Sequence, residues 1–96
     1  MLEKEMFTSE KANEIGKLLG INWIKFNVEQ FRMGLEVELE HGCVSPGTNV
    51  TDNDPLVTGK IALAHLEEYP DYYTRLAKME KEAQEYWKNN SLNLKL

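Results

Sequence analysis

The sequence predicts an all-α protein, a small single-domain bundle of about four helices with one polar loop between helices two and three. Apolar residues recur at the spacing of amphipathic helices, strand-like alternation is absent, and start and stop signals divide the chain into four stretches. A chain of 96 residues suffices for one hydrophobic core. We therefore expect a single helical domain over residues 1–96, with residues 1–6 and 89–96 frayed.

The first helix is predicted from about Ser9 to Leu19. Thr8 is a suitable N-cap because its side-chain oxygen can accept a hydrogen bond from a free backbone N–H of the first turn. Gly20 suits the C′ position, where a left-handed backbone conformation ends many helices. These signals bound a helix of about three turns.

The second helix carries stronger start signals. Asn27 and Gln30 have the spacing of a capping box, and Phe26 and Phe31 have the spacing of a hydrophobic staple. One face of this helix is apolar, and Gly42 is expected to end it. The pattern places this helix in the core.

The third and fourth helices meet at Pro70. Asp54 and Pro55 are predicted as N-cap and first residue of the third helix, which runs to about Tyr69. Pro70 disfavours helical backbone before it, so a fourth helix is expected over Asp71 to about Lys88. The apolar stripe of the fourth helix comprises Tyr72, Leu76, Met79, Ala83, Tyr86 and Trp87. The second, third and fourth helices are therefore expected to form the core.

Charge and composition exclude several classes of function. The net charge is −5, with 16 acidic and 11 scattered basic residues, which argues against nucleic acid as the main partner. No apolar run spans a membrane, and the N-terminal residues lack the apolar segment of a signal peptide. The single cysteine, Cys43, excludes an internal disulfide. We expect a cytoplasmic protein without a nucleic-acid or membrane partner.

The two histidines each have a glutamate three residues away, as Glu38-x-x-His41 and His65-x-x-Glu68. Residues three apart on a helix are surface neighbours, so each pair can present a carboxylate and an imidazole to one point. Glu-x-x-His from facing helices is the ligand pattern of di-metal carboxylate bundles. If the second and third helices face each other, these four residues predict a site for zinc, iron or manganese.

A purely structural interpretation stands beside the metal hypothesis. His65 falls near the middle of the buried face of the third helix, and a buried imidazole needs hydrogen-bond partners. Glu68, Glu38 or a tyrosine hydroxyl would supply one. The second pair also runs from histidine to glutamate, the reverse of the usual order. The sequence therefore leaves two alternatives open, a transition-metal site and a structural pair of histidine and glutamate.

The polar loop contains two further candidate features, a cluster of oxygen-bearing residues and a cysteine close to His41. Thr48, Asn49, Thr51, Asp52 and Asp54 gather oxygen atoms, but their spacing is not that of a Ca²⁺ loop and favours Asx turns with an N-cap.

Cys43 and His41, two residues apart, are poorly placed for a nucleophilic dyad, and no oxyanion-hole motif follows. The expected alternative for Cys43 is a half-buried structural thiol. These observations favour a protein without catalytic activity.

Three aromatic residues are candidate interaction residues. Trp23 and Trp87 are potential anchors because tryptophan is enriched among residues that dominate binding energy. Trp23 also lies in a turn whose residues, Ile24 among them, are expected to fill the core. Tyr73 points away from the predicted stripe of the fourth helix, so we expect it to be exposed.

The strings VELEHG and TNVTDNDPLVTGKIALAHLEEYPDYYTRLAKMEKEA, with FTSEKANEIGKLLGI before them, resemble a family of small bacterial and phage-encoded proteins. That family is a domain of unknown function, number 5661. The resemblance runs from about Phe7 to about Ala83. Residues on the matching strings are Glu38, Glu40, His41, Thr48, Asn49, Asp54, Lys60, His65, Pro70, Asp71 and Tyr72. Asn53 stands where the family usually has an acidic residue, which argues against a cation site in the loop.

The resemblance implies a recurring domain but no activity, substrate or cofactor. From the residues we expect a non-catalytic module for protein interaction or self-association. The alternative is a metal-binding helical protein using Glu38, His41, His65 and Glu68.

Overall fold

The computed structural model describes the backbone of residues 7–94 and the side chains of residues 7–90. Within this range the chain is all-α, as predicted, and contains no strand. The α-helices are α1 (Ser9–Leu18), α2 (Val28–Glu38), α3 (Pro55–Glu68) and α4 (Tyr72–Leu94), with single 3-10 turns at Leu39–His41 and Pro46–Thr48. None of the described helices is both long and apolar enough to cross a membrane.

The predicted N-caps of α1, α2 and α3 are confirmed. Thr8 Oγ1 accepts a hydrogen bond from the Lys11 N–H at 3.0 Å, and Asn27 Oδ1 accepts one from the Gln30 N–H at 2.9 Å. Asp54 Oδ1 accepts from two backbone N–H groups of the first turn of α3. Each cap satisfies donors that have no partner inside the helix, so the starts of three helices follow from local sequence.

The end of α1 is also as predicted. Gly20 follows it with a φ of 79°, the left-handed conformation that glycine adopts without steric cost. The N–H of Gly20 donates to the Lys17 carbonyl, and the N–H of Ile21 donates to the Gly16 carbonyl at 2.8 Å. This pair of bonds is the Schellman pattern, and it turns the chain towards α2.

The hydrophobic core lies between α1, α2 and α3 and includes the start of α4. Its buried apolar side chains are Phe7, Ala12, Ile15, Phe26, Phe31, Leu35, Leu39, Ala62, Leu66 and Tyr73. The two members of the predicted staple, Phe26 and Phe31, are both buried. The prediction that the second, third and fourth helices form the core is therefore wrong in one respect. Helix α1 contributes buried side chains to the core, whereas only the first two turns of α4 do so.

Helix α4 leaves the core after its first two turns. Tyr73 is buried, and Tyr72 and Leu76 are partly buried against the core. Every residue from Ala77 to Asn89 is exposed, although this stretch contains most of the apolar stripe that the sequence pattern assigned to the core. The helix also continues through residues 89–94, where we expected fraying, while residues 1–6, 95 and 96 lie outside the described range.

The loop between α2 and α3 uses its polar side chains to close itself. Asn53 Oδ1 accepts from the Cys43 N–H at 2.8 Å, and Asn49 Oδ1 accepts from the Asp52 N–H at 2.8 Å. Asp52 and Asn53 both have positive φ, which Asn and Asp tolerate better than most residues. Loop oxygens thus serve turns and caps, as the Asx-turn interpretation predicted. The backbone N–H groups of Val50 and Thr51 also donate to the His41 carbonyl, which fixes the loop against the turn that carries His41.

Candidate functional site

Glu38, in the last turn of α2, is a charged residue buried in the core. Its relative exposure is 4%. An isolated carboxylate at such a position is costly because it leaves its hydration behind, so it needs donors or positive charges around it. The groups that meet this need come from the following 3-10 turn, from α3 and from α4. We call Glu38, His41, His65 and Tyr73 together the Glu38 cluster.

Tyr73 is the direct hydrogen-bond partner of Glu38. Its phenol donates to Glu38 Oε2 at 2.7 Å, and the tyrosine itself is 1% exposed. Burial, together with the hydrogen bond to this carboxylate, raises the pKa of Tyr73 well above its ordinary value. The phenol therefore stays protonated and acts as a permanent donor, which ties α4 to α2.

His65, on α3, lies beside the same carboxylate oxygen. Its Nε2 is 3.8 Å from Glu38 Oε2, an ion-pair distance when the ring is protonated but too long for a hydrogen bond. The ring stacks on Tyr72, with centroids 4.4 Å apart and planes 11° apart, and meets Tyr73 edge-on. Aromatic contacts of this kind fix the orientation of the imidazole.

The other nitrogen of His65 faces a different carboxylate. Nδ1 is buried and makes no hydrogen bond within the described part of the chain, and Glu68 Oε1 lies 3.8 Å from it. The buried Glu38 and the exposed Glu68 therefore face different nitrogens of one ring. His65 is thus half-buried between an inner and an outer acid.

His41, in the 3-10 turn after α2, completes the cluster from the surface side. Its Nε2 is 3.8 Å from Glu38 Oε1 and 3.4 Å from Glu40 Oε1. The histidine side chain is 47% exposed, so it retains contact with water. The two oxygens of Glu38 therefore each face one imidazole, Oε1 towards His41 and Oε2 towards His65.

The four predicted metal ligands are only partly brought together. His41 and His65 converge on the carboxylate of Glu38, whereas Glu68 faces the other nitrogen of His65, Nδ1. In the described residues no group of three or more His, Cys, Asp or Glu side chains is arranged to hold a metal ion. The observed convergence is that of a buried ion-pair and hydrogen-bond cluster.

Cys43 does not join this cluster. The prediction of a half-buried thiol is wrong, because Cys43 is exposed in the loop. Its Sγ lies 3.6 Å from Asp52 Oδ1, to which the thiol donates. Desolvation, followed by the hydrogen bond to Asp52, raises the pKa of the Cys43 thiol, and a thiol held protonated is a poor nucleophile.

Of the three predicted interaction residues, Trp23 is part of the fold. Its Nε1 donates to Asn13 Oδ1 at 2.9 Å, and its ring packs against Phe26 and Phe31. The ring passes so close to α1 that a Cβ on Gly16 would lie 2.5 Å from it. Trp23 has a backbone φ of 61°, which is rare for a residue with a bulky side chain. Its side-chain contacts with Asn13, Phe26 and Phe31 stabilise this conformation.

The neighbourhood of Trp23 includes an open groove. It has a volume of about 460 Å³ and lies between residues 19–26 and α3, where Leu63 and Glu67 contribute to its wall. Ile24 was expected to fill the core, but it is exposed at the rim of this groove. The groove is separate from the Glu38 cluster.

The other two predicted interaction residues differ in exposure, because Tyr73 is buried and Trp87 is exposed. The expectation that Tyr73 is exposed is wrong, because Gly34 on α2 leaves room for its ring in the core. Trp87 is 60% exposed and lies on α4 beyond the core. Met79 and Tyr86 are 56% and 57% exposed beside it.

These three residues and Ala83 form what we call the α4 face. At 100° per residue they occupy about 100° of the helix circumference. Sequence periodicity identified this stripe correctly but placed it in the core.

The fold and the cluster together define a small all-α domain in which a buried glutamate is shared by two histidines and a tyrosine. A family model with the description "Protein of unknown function (DUF5661)" matches residues 12–82. The match covers most of the chain, so the chain belongs to that family, as the resemblance indicated. We found no significant match to this chain among curated proteins or among solved structures.

Proposed function

We propose that this chain is a non-catalytic interaction module of the cytoplasm that binds another protein, or itself, through the α4 face. The observation that carries the proposal is the exposure of Met79, Tyr86 and Trp87 on one side of a helix that extends beyond the core. Methionine and large aromatic side chains are enriched at protein interfaces, and tryptophan and tyrosine often dominate their binding energy.

The energetics of α4 support the same proposal. An isolated helix gains little stability from propensity alone, and most helical stability in proteins comes from packing an amphipathic face. Between Ala77 and Asn89 no side chain of α4 is buried. A partner on the α4 face would supply the missing packing and remove apolar surface from water, at about 25 cal/mol for each Å² buried.

Charge favours a protein partner over nucleic acid. With a net charge of −5 the chain lacks the excess of Lys and Arg that phosphate binding requires. Both signs flank the α4 face at helical spacing, with Glu80 on one side of it and Glu82 and Arg75 on the other. A mixed rim around an apolar centre is the usual anatomy of a protein–protein interface.

A matched pair of variants tests the proposal. In the face variant, Met79, Tyr86 and Trp87 are replaced by Ser. In the opposite-side variant, Lys78, Lys81 and Glu85 are replaced by Ser. Both substitute only exposed residues, so both retain the core.

Each full-length protein is immobilised, exposed to host lysate and analysed by mass spectrometry, and its own mass in solution is measured by light scattering. We expect a defined bound protein, or a mass above that of one chain, with wild type and the opposite-side variant. The face variant should lose it. Identical behaviour of all three proteins would overturn the proposal.

Metal binding is the second candidate, and one observation favours it. The two oxygens of Glu38 each face an imidazole Nε2 at 3.8 Å, so one carboxylate lies between two potential nitrogen ligands. Imidazole and carboxylate suit zinc, iron or manganese.

Elemental analysis of untagged protein, with thermal unfolding in the presence of each metal, decides this alternative. It predicts a stoichiometric metal that the His65→Ala variant loses. A metal-free protein whose unfolding temperature ignores all three ions would remove it.

A further inference from the structure

We draw no further inference here: the strongest candidate, the open groove between residues 19–26 and α3, is an unpartnered surface for which nothing in the described part of the chain shows what covers it.

Discussion

The phenol of Tyr73 donates a 2.7 Å hydrogen bond to Oε2 of Glu38, and this bond joins α4 to α2 inside the core. The two residues are mutually dependent. Glu38 needs the donor because its carboxylate is buried, and Tyr73 keeps its proton because burial and this carboxylate both oppose its ionisation. The attachment of α4 to the domain therefore depends on a polar contact as well as on apolar packing.

Replacing Tyr73 by Phe should destabilise the fold by about 1–3 kcal/mol, because it leaves a buried carboxylate without its donor while preserving the ring. Urea unfolding followed by circular dichroism measures the change. Tyr86→Phe is the matched control, since Tyr86 is exposed on α4, and it should change stability by less than about 0.5 kcal/mol. Equal stabilities of Tyr73→Phe and wild type would show that Glu38 has another adequate partner.

The stability of wild type should fall at alkaline pH because of Tyr73. Its folded-state pKa is raised above the ordinary value of 10.0, so above that pH the unfolded chain loses the proton while the folded protein keeps it. The contribution is complete below about pH 10 and is lost as the pH rises, with a slope of up to about 1.4 kcal/mol per pH unit.

Unfolding free energies of wild type and Tyr73→Phe, compared between about pH 9 and 11, isolate this effect. The difference between the two proteins should shrink with increasing pH, since the variant has no phenol at this position. Parallel curves would contradict a protonated Tyr73 in the folded state.

Gly34→Ala should destabilise the domain despite placing a better helix former in α2. The added Cβ would lie 2.5 Å from Cε2 of Tyr73 and 3.0 Å from Cβ of Ala62. A buried aromatic ring cannot move cheaply, and overpacking of this kind costs about 1–3 kcal/mol, against about 1 kcal/mol gained in helix propensity. Thermal unfolding measures the balance. Gly47→Ala, where a Cβ meets open space, is the control and should leave the unfolding temperature unchanged.

Local signals predicted the helices well because capping is a short-range effect. Thr8, Asn27 and Asp54 cap their helices through hydrogen bonds to residues two or three positions along the chain. Such hydrogen bonds form regardless of where the helix lies in the fold, so the caps can be predicted from the sequence without knowledge of the tertiary packing.

The packing of α4 was not predictable in the same way. Periodicity shows that Met79, Tyr86 and Trp87 share one side, but it does not show whether the chain itself or a partner covers that side. Tyr73 was placed on the wrong surface for a related reason. Its burial depends on Gly34, which is distant in sequence and leaves the space that the ring fills.

The sequence identified three of the four residues of the Glu38 cluster, but it placed Tyr73, the hydrogen-bond partner of Glu38, on the surface. The sequence pattern placed Glu38 and His41 one turn apart at the end of α2, and the structure places the imidazoles of His41 and His65 beside the Glu38 carboxylate. Glu68 satisfied the same spacing rule but approaches the other nitrogen of His65. Spacing in the sequence determines which residues lie on the same face of a helix. Which nitrogen of a histidine ring a neighbouring glutamate contacts depends on tertiary packing.

Hydrogen exchange provides the most direct test of how α4 is stabilised. Because no side chain between Ala77 and Asn89 is buried, the free energy of local opening in this stretch should be far below that of α2 in a single chain. Measured by mass spectrometry at low micromolar concentration, amides of this stretch should exchange with little protection, while those around Leu35 remain protected. If a second copy covers the α4 face at high concentration, protection of α4 should rise with concentration while protection of α2 does not change.

The face variant, Met79, Tyr86 and Trp87 replaced by Ser, separates pairing from intrinsic helix stability in the same experiment. Its α4 amides should exchange at one rate at every concentration, because it lacks the apolar side chains of the α4 face. The opposite-side variant should keep the concentration dependence of wild type. Strong protection of α4 in all three proteins at the lowest concentration would mean that contacts within one chain hold the helix, and it would remove the energetic reason for a partner on the α4 face.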